Sequence, residues 1–434
     1  MSPALISIII FILTYIVIAT EKVNRTVVAF IGVLLLVLFG VFGINDAVGF
    51  IDWEIIGLLF GMFIIVAALS DAGFFTFLAL ILARWLKYSP RKIFIFFPII
   101  TAILSAFMDS VTVMLFFATL TYEICKVLKI KATPIIITEV IMANIGGSAT
   151  MVGDPPNVIL GLKLGFYFND FLIHNAPISI LAGAAALLYC YLVSRKSIVS
   201  SGEIPKEELK EMDPAEVIED RKQLKVALAA FGTAIFFLVT HTYIEQYLHI
   251  PLKAPLAAMI PAFFMLSVLG KRAEKILLKV NFEVLLFFMG LFMVVGALEY
   301  TGIVEIAAAY ITNLFKGNDI GLLSTLVWSS GVGSGIIDNV PLALSMGYVL
   351  QNMVKFVGVP ALSIMVWAVS LGLDIGGNFT PIGASANVVA YTTMEKRGQS
   401  IGWKKWLKLA VPATLIALVI SNIGIFIKYI TGFF

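Results

Sequence analysis

The sequence predicts an all-α polytopic membrane protein of about ten transmembrane helices and two re-entrant hairpins, arranged as an inverted-topology repeat with two broken helices. The first reason is composition: 60% of the 434 residues are hydrophobic, 13% are charged, and the mean hydropathy is +1.01. A soluble protein carries about 25% charged residues. The second reason is a stretch that occurs twice, NIGGSATMVGDPPNVILG (144–161) and DIGGNFTPIGASANVVAY (374–391), with 7 of 18 positions identical.

Apolar runs give the candidate spans in chain order. They lie near 3–20, 25–42, 54–72, 134–165, 174–194, 224–241, 252–269, 283–300, 361–395 and 408–428. The runs 134–165 and 361–395 contain the glycine-rich breaks. Two pairs of arms, 93–108 with 111–125 and 321–336 with 340–354, meet at the polar tips SAFMDSVTV and GSGIIDNVPL. Because an arm of about 15 residues is short for a crossing, each pair (93–125 and 321–354) is predicted to be a re-entrant hairpin.

The two halves share one register. Residues 52–73 align with 281–302 at an offset of 229, with 7 of 22 positions identical, and Asp109 and Asp338 keep that offset at the hairpin tips. The sequence therefore predicts a first repeat at 1–194, a cytoplasmic linker at 195–223 and a second repeat at 224–434. An odd number of crossings per half places the second repeat upside down in the membrane.

The distribution of positive charge predicts the orientation. With the N- and C-termini outside and the central loop in the cytoplasm, all but five of the 30 lysines and arginines lie inside. The five outside are Lys163, Lys253, Lys316, Lys355 and Lys428. This bias agrees with the positive-inside rule.

Four aspartates are expected within the membrane. Asp109 and Asp338 lie at the hairpin tips, while Asp154 and Asp374 lie beside the breaks. A charge at that depth costs at least a few kcal/mol and usually serves an ion or substrate pathway. No Lys or Arg is expected close enough to neutralise them, so a bound cation or protonation must do so. Asp109, Asp154 and Asp338 also suit helix N-caps, and capping does not exclude ion binding.

The breaks supply the other candidate ligands. We expect an ion- or substrate-binding site formed by Asp109, Ser110, Asn144, Gly146, Gly147, Ser148, Thr150, Asp154, Asn157, Asp338, Asn339, Asp374, Gly376, Gly377, Asn378, Thr380 and Asn387. Na⁺ is expected near Asp109, Asn144, Ser148, Asp338, Asp374 and Asn378, because carboxylate, amide and hydroxyl oxygens suit a hard cation. Glu139 is either a proton site or part of a local pair, and the sequence does not decide between them.

Several classes of function are not expected. There is no P-loop or HExxH motif, so we expect neither an enzyme nor an ATP-driven pump. The two cysteines form no metal or disulfide pattern, and the basic residues form no patch for nucleic acid. We expect no cofactor other than a coupling ion, Na⁺ or H⁺. The expected partners are a small ion substrate and the lipid bilayer.

At SAFMDSVTVMLFF (105–117), EVIMANIGGSATMVGDPPNVILG (139–161) and GNFTPIGASANVV (377–389), the chain resembles the arsenite-permease and pink-eyed-dilution (P protein) branch of the ion transporter superfamily, which includes CitMHS-like permeases. The resemblance implies a scaffold domain and a transport domain, usually in a homodimer, with elevator-type movement. It also implies binding residues at the hairpin tips and breaks already named. The paired Ser-Asn-Thr signature of the superfamily's symporters is only partly present, at 148–150 and 378–380.

These expectations lead to one preferred function and two alternatives. The preferred one is a secondary active transporter of a small ion, an inorganic anion or an arsenite-like solute, coupled to H⁺ or Na⁺ by elevator-type alternating access. The first alternative is a Na⁺/H⁺ antiporter, which the four aspartates favour. The second is an anion channel.

Overall fold

The structure, a computed structural model, describes residues 2–20, 22–198, 217–218, 220–357, 359–399 and 401–434; of residues 356, 357 and 359–361 it describes the backbone alone. Every regular element in these ranges is helical, which confirms the predicted all-α class. Eight of the described helices are long and apolar enough to cross a membrane, and six shorter apolar helices accompany them.

The helices of the first half, in chain order, are α1 (Pro3–Ala19), α2 (Arg25–Leu38), α3 (Ile44–Gly49), α4 (Trp53–Asp71), α5 (Phe74–Trp85), α6 (Pro90–Phe107), α7 (Ser110–Val127), α8 (Thr133–Gly147), α9 (Pro155–Leu164), α10 (Phe168–His174) and α11 (Ala176–Ser194). The broken helix predicted at 134–165 is thus formed by α8 and α9, with a non-helical break between them.

Those of the second half are α12 (Arg221–Leu248), α13 (Ala254–Leu269), α14 (Arg272–Leu277), α15 (Phe282–Tyr300), α16 (Ile303–Leu314), α17 (Asp319–Ile336), α18 (Asn339–Val357), α19 (Val359–Gly376), α20 (Ser385–Lys396) and α21 (Trp403–Thr431). A 3₁₀ turn, Gly377–Phe379, follows α19. The broken helix predicted at 361–395 is therefore α19, this turn and α20.

Helix boundaries repeat at the offset seen in the sequence. The distance along the chain between first residues is 229 positions for three pairs of helices, α4 and α15, α6 and α17, and α7 and α18. It is 230 positions for α9 and α20. The turns repeat as well. Gly73 before α5 has a φ of 78°, and Gly302 before α16 has a φ of 76°. This left-handed backbone is one that glycine adopts without steric cost, which explains a glycine at both turns.

The hairpin arms are longer than the sequence predicted. Arms α6, α7 and α17 have 18 residues each, and α18 has 19. At 1.5 Å per residue an arm of this kind is about 27 Å long, close to the roughly 30 Å of the hydrocarbon core. The expectation of short arms is wrong, so arm length does not distinguish a re-entrant hairpin from two spans.

The predicted linker lies largely outside the described residues. Of 195–223, residues 199–216 and 219 are not described. At its end α12 begins at Arg221, inside the range predicted for the linker, and the carboxylate of Asp220 accepts hydrogen bonds from two backbone N–H groups of the first turn. This cap explains why the helix begins earlier than its apolar run.

The helices pack as two groups. In the peripheral group (α1, α2, α4, α12, α13 and α15), α4 packs against α12 and α13, and α2 packs against α1 and α15. In the central group (α6 to α9, α11 and α17 to α21), α6 packs against α8, α17 against α19, and α11 against α21. The second arm of each hairpin packs against the returning half-helix of the other half, α7 against α20 and α18 against α9. The two groups meet where α4 contacts α9 and α15 contacts α18.

The first break and the start of the second lie in a deeply buried part of the molecule. Every residue from Ile135 to Gly161 is buried, and so is every residue from Ile364 to Asn378. Irregular backbone inside a membrane protein is tolerated only when protein or a cavity satisfies its polar groups. The polar side chains around the breaks are therefore expected to hydrogen-bond the exposed backbone groups of the breaks, whether or not a ligand is bound.

Candidate functional site

The first break is closed by its own polar side chains. The amide Nδ2 of Asn157 on α9 donates to the carbonyl oxygens of Gly147 (3.2 Å) and Thr150 (3.0 Å). The hydroxyl of Thr150 donates to the carbonyl oxygen of Ala106, in the last turn of α6. These bonds satisfy two carbonyls of the break and tie it to the hairpin.

The second break repeats this arrangement. Nδ2 of Asn387 donates to the carbonyl oxygens of Gly377 and Thr380, both at 2.8 Å. The hydroxyl of Thr380 donates to the carbonyl oxygen of Gly335, 2.7 Å away in α17. The side-chain N–H and O–H groups of four predicted ligands therefore close the breaks or tie them to the hairpins; these are Thr150, Asn157, Thr380 and Asn387.

Two glycines of the breaks allow close helix packing. A β carbon at Gly146 would overlap the backbone of Ala102 in α6, and one at Gly376 would overlap the backbone of Gly331 in α17. Because the opposing atoms belong to backbone, they cannot move aside as a side chain would. Both glycines thus have a packing role at the contact between a hairpin and a broken helix.

Asn144 joins the two halves. Its Nδ2 donates to Oδ1 of Asn378 and to Oδ1 of Asn387, both at 2.8 Å. All three side chains are fully buried. The amide of the first broken helix thus binds the second break, and its own Oδ1 has no partner among the described residues.

Asp374 takes the place in the second broken helix that Asn144 has in the first. It is fully buried, and neither of its carboxylate oxygens has a hydrogen-bond partner within the described ranges, although Asn157 is close. The oxygen of the Asn157 amide accepts instead from the hydroxyl of Ser370, at 2.6 Å. Asp374 is therefore a buried carboxyl for which the described residues supply no well-formed hydrogen bond.

Sequence reasoning missed Ser370 and Asn175. Nδ2 of Asn175, just before α11, donates to the hydroxyl of Ser370 (2.8 Å) and to the carbonyl oxygen of Ser148 (3.3 Å). The hydroxyl of Ser148 hydrogen-bonds to Ser179 and to a backbone carbonyl. Ser370 was detectable in principle, because it lies four residues before Asp374 and so on the same face of α19.

The aspartates at the hairpin tips are helix caps. The carboxylate of Asp109 accepts from the backbone N–H of Val111 (3.3 Å) and from the N–H and hydroxyl of Thr112 (2.9 and 2.7 Å). Asp338 accepts from the N–H of Val340 at 3.0 Å. Asp154 differs, because its side chain makes no cap bond to α9. The capping interpretation therefore fits Asp109 and Asp338 but is wrong for Asp154.

Asp154 faces the tip of the other hairpin. Its Oδ2 accepts a hydrogen bond from Nδ2 of Asn339, at 3.2 Å, and both side chains are buried. Asp109 and Asp338 are both near enough to interact electrostatically with Asp154. The tips of the two hairpins thus bring three carboxylates together at the first break.

A positively charged side chain, that of Arg25, contacts one of these three carboxylates, although the sequence predicted no Lys or Arg beside them. Nη1 of Arg25, the first residue of α2, is 3.3 Å from Oδ2 of Asp338 and 2.6 Å from the hydroxyl of Ser385. Ser385 in turn donates to the Asp338 carboxylate at 3.1 Å. The expectation that no Lys or Arg neutralises the aspartates is therefore wrong for Asp338. The contact also joins the peripheral group to the central group.

Two cavities lie beside Arg25. The larger, of about 530 Å³, is lined on the charged side by Lys22, Arg25, Glu283 and Asp338. The smaller, of about 20 Å³, is lined by Arg25, Ser385, Asp109, Ser110, Asp154 and Asn339, among others. A volume of this size holds about one water molecule. Arg25 and Ser385 border both cavities, so the carboxylate cluster lies next to the larger one.

The residues expected to bind Na⁺ do not all meet at one point. Asp109 and Asp338 border the cavities, Asn144 and Asn378 bond to each other, and the hydroxyl of Ser148 bonds to Ser179. Within the described ranges, no group of three or more His, Cys, Asp or Glu side chains has the geometry to hold a metal ion.

Comparison with known proteins gives a consistent result. The family model described as citrate transporter, CitMHS, matches residues 15–372. An uncharacterized transporter of Mycobacterium tuberculosis is 34% identical over 432 residues, covering 98% of this chain and 99% of the relative. The human P protein is 29% identical over 96% of this chain, which spans 59% of the human protein. The crystal structure of the YdaH transporter of Alcanivorax borkumensis covers 99% of each chain with a TM-score of 0.58 at 12% identity, a likeness of fold alone.

Proposed function

Because the chain belongs to the CitMHS citrate transporter family and is thus a membrane transporter, we propose that it is a secondary active transporter that moves a small anion coupled to H⁺ or Na⁺. The observation that carries this proposal is the arrangement of three carboxylates around one guanidinium: Asp338 pairs with Arg25, and Asp109 and Asp154 line the small cavity that Arg25 also borders.

The carboxylates support a coupling cation. Asp338 has Arg25 as its partner, whereas Asp154 receives one amide hydrogen bond and no cation from the described residues. An unpaired carboxylate out of water is costly, so it is neutralised by a proton or by a bound cation. We therefore place the coupling site at Asp154 and Asp109, with H⁺ or Na⁺ as the ion.

The second break supports an anion. Ala384 occupies the place that Asp154 has in the first break, and α20 begins with Ser385 and Ala386, whose backbone N–H groups make no hydrogen bond to the described residues. By contrast, α9 begins with two prolines, which have no N–H. A helix N-terminus with free N–H groups favours negative charge. The two breaks are thus suited to ions of opposite sign.

The substrate class follows from the assignment of a cation to the first break and an anion to the second. Citrate, which the family description names, and inorganic phosphate are both anions that Arg25 and the start of α20 favour. Arsenous acid is neutral near pH 7 and gains little from either group. We therefore prefer a carboxylate or oxyanion to an arsenite-like solute.

The packing of the helices supports an elevator-type mechanism. The peripheral and central groups meet along α4 with α9 and α15 with α18, and the larger cavity lies at their boundary beside Lys22 and Arg25. By the positive-inside prediction this is the cytoplasmic side, so the conformation is inward-open. The central group would move against the peripheral group, in a homodimer as the resemblance implies.

A Na⁺/H⁺ antiporter is the second candidate. It is favoured by Asp374, a further carboxyl that is fully buried and has no hydrogen-bond donor among the described residues. Carboxylates then outnumber the one guanidinium, which suits cation exchange without an anion. An anion channel is the third candidate, and nothing in the geometry favours it over the other two.

Reconstitution into proteoliposomes tests the proposal. Uptake of labelled citrate, succinate and phosphate is measured with an imposed Na⁺ or pH gradient, with arsenite as the neutral control. We expect one anion to accumulate above equilibrium only with a gradient. Cation exchange without any added anion would favour the antiporter, and anion flux that never exceeds equilibrium would favour the channel.

A pair of variants assigns the coupling site. Asp154→Asn should abolish gradient-driven accumulation, because it removes the carboxylate that binds the coupling cation. Glu54→Gln is the matched control, since its exposed carboxylate pairs with Lys253 away from the cavities. Wild-type accumulation by Asp154→Asn would remove Asp154 from the coupling site.

A further inference from the structure

Arg25 has hydrogen-bonding capacity that the protein does not use. A guanidinium carries five N–H donors, yet only Nη1 bonds to described residues, contacting both Asp338 and Ser385. The guanidinium carbon lies 4.8 Å from the centre of the Phe287 ring, so a π face supports the side chain and fixes its direction. The remaining donors belong to a residue that borders both cavities.

We propose that Arg25 recognises the anionic group of the substrate, and that the carboxylate of Asp338 occupies this position when substrate is absent. The ligand class is a small carboxylate or oxyanion that accepts two parallel N–H bonds. This inference rests on the proposed function, because it names the group that binds the transported anion.

The contact with Asp338 is one that a ligand can replace. It is a single approach at 3.3 Å, whereas a free carboxylate or phosphate can bind a guanidinium through two bonds of about 2.8 Å. After displacement Asp338 would keep two hydrogen-bond donors, the N–H of Val340 and the hydroxyl of Ser385, and it borders the larger cavity. The exchange thus replaces one weak ionic contact by a stronger one.

The cavity has room for such a ligand. Its volume of about 530 Å³ falls within the roughly 300–1,000 Å³ typical of small-molecule sites. Lys22 adds a second positive charge to the lining, while Nδ2 of Asn24 already donates to Glu283. Asn281 caps α15 through its amide oxygen, and its amide carries no charge. Arg25 is therefore the best placed group to select an anion.

The exchange also affects the contact between the helix groups. Arg25 belongs to α2 of the peripheral group, while Asp338 and Ser385 belong to the central group. An anion bound to Arg25 breaks this ionic contact between the groups. Substrate binding would then release a contact that opposes movement of the central group.

Binding to purified protein in detergent, without any gradient, tests the inference. The dissociation constant is measured for citrate, succinate and phosphate in wild type and variants. Asp338→Asn should lower the dissociation constant of the bound anion about tenfold, because it removes the internal competitor. Arg25→Gln should raise it at least about tenfold, with Arg25→Lys in between. Arg272→Gln, the matched control, removes a half-exposed guanidinium that pairs with Asp220 and borders neither cavity, so it should change the dissociation constant less than about threefold.

The outcomes separate this inference from the proposed function. If Arg25→Gln and Asp338→Asn both lower the unfolding temperature and neither changes the dissociation constant, Arg25 is a structural contact and the inference is overturned. Anion binding that is absent, or unchanged in Arg25→Gln, alongside gradient-driven transport by wild type, overturns it and leaves the proposed function intact. Arg25-dependent binding without gradient-driven transport supports the inference and refutes coupled transport.

Discussion

Exchanging the side chains at the two equivalent positions of the broken helices should have opposite effects on stability. Asn144→Asp replaces an amide that donates to Asn378 and Asn387, both at 2.8 Å, by a carboxylate with no donor. Asp374→Asn makes the reverse change at a carboxylate whose oxygens have no partner among the described residues. The shapes of the side chains are nearly the same, so the comparison isolates hydrogen bonding and charge.

The magnitude follows from the number of groups left unsatisfied. Asn144→Asp leaves Oδ1 of Asn378 and Oδ1 of Asn387 facing a third set of oxygens in a fully buried site. Asn387 cannot turn its amide around, because its Nδ2 holds two carbonyls of the break. At about 1–3 kcal/mol for each buried polar group without a partner, the free energy of unfolding should fall by roughly 2–6 kcal/mol. Asp374→Asn should leave it unchanged or raise it, because it removes an unpaired buried carboxyl.

Thermal or denaturant unfolding of the purified wild type and both variants, at one pH and one Na⁺ concentration, measures the difference. The stability of Asn144→Asp should be clearly reduced, and that of Asp374→Asn should equal or exceed that of the wild type. If Asp374→Asn is as destabilised as Asn144→Asp, the carboxyl of Asp374 has a partner that supports the fold, and the reasoning is refuted.

Three further predictions concern stability. Gly146→Ala should lower the free energy of unfolding by about 1–3 kcal/mol, because the added β carbon would overlap backbone atoms that cannot move aside. Gly232→Ala is the control in the same unfolding assay: a β carbon there has no neighbouring atom within 4 Å, so this variant should be neutral or stabilising. Thr121→Val should destabilise the protein by about 1–3 kcal/mol, because among the described residues the Thr121 hydroxyl alone donates a hydrogen bond to the fully buried Glu139, at 2.6 Å. An unchanged unfolding temperature would contradict this role. Asp71→Asn should lower the free energy of unfolding, because this buried carboxylate pairs with two half-exposed lysines. The difference from wild type should be smaller in 1 M NaCl, where the Debye length is about 3 Å. A difference that does not depend on salt would contradict an ionic cause.

The sequence predicted the framework of the site well, because a repeat carries its own register. Asp109 and Asp338 lie at the two tips as the offset of 229 requires, and both cap the second arm of a hairpin. The breaks begin and end within a few residues of their expected places. The repeated motif did not indicate which polar side chains close the break through hydrogen bonds and which are left for a ligand. That depends on which carbonyls lack partners, which becomes known only when the backbone is folded.

Arg25 could not be predicted from the repeat. It lies 313 residues from Asp338, and the offset of 229 pairs it with Ala254, so symmetry gives no signal. Its position between two apolar runs suggested an ordinary interface charge. Only the packing of α2 against α15, under the tip of the second hairpin, brings the guanidinium to the carboxylate.

The bonds that cross between the two breaks have a consequence for biosynthesis. Asn144 finds its acceptors on Asn378 and Asn387, and Asn157 finds its hydroxyl donor on Ser370. While the first half alone has left the ribosome, Nδ2 of Asn144 and Oδ1 of Asn157 lack these partners and must remain accessible to water. The interior of the protein therefore closes only after Asn387 has been synthesised, so the first half cannot mature as an independent folding unit.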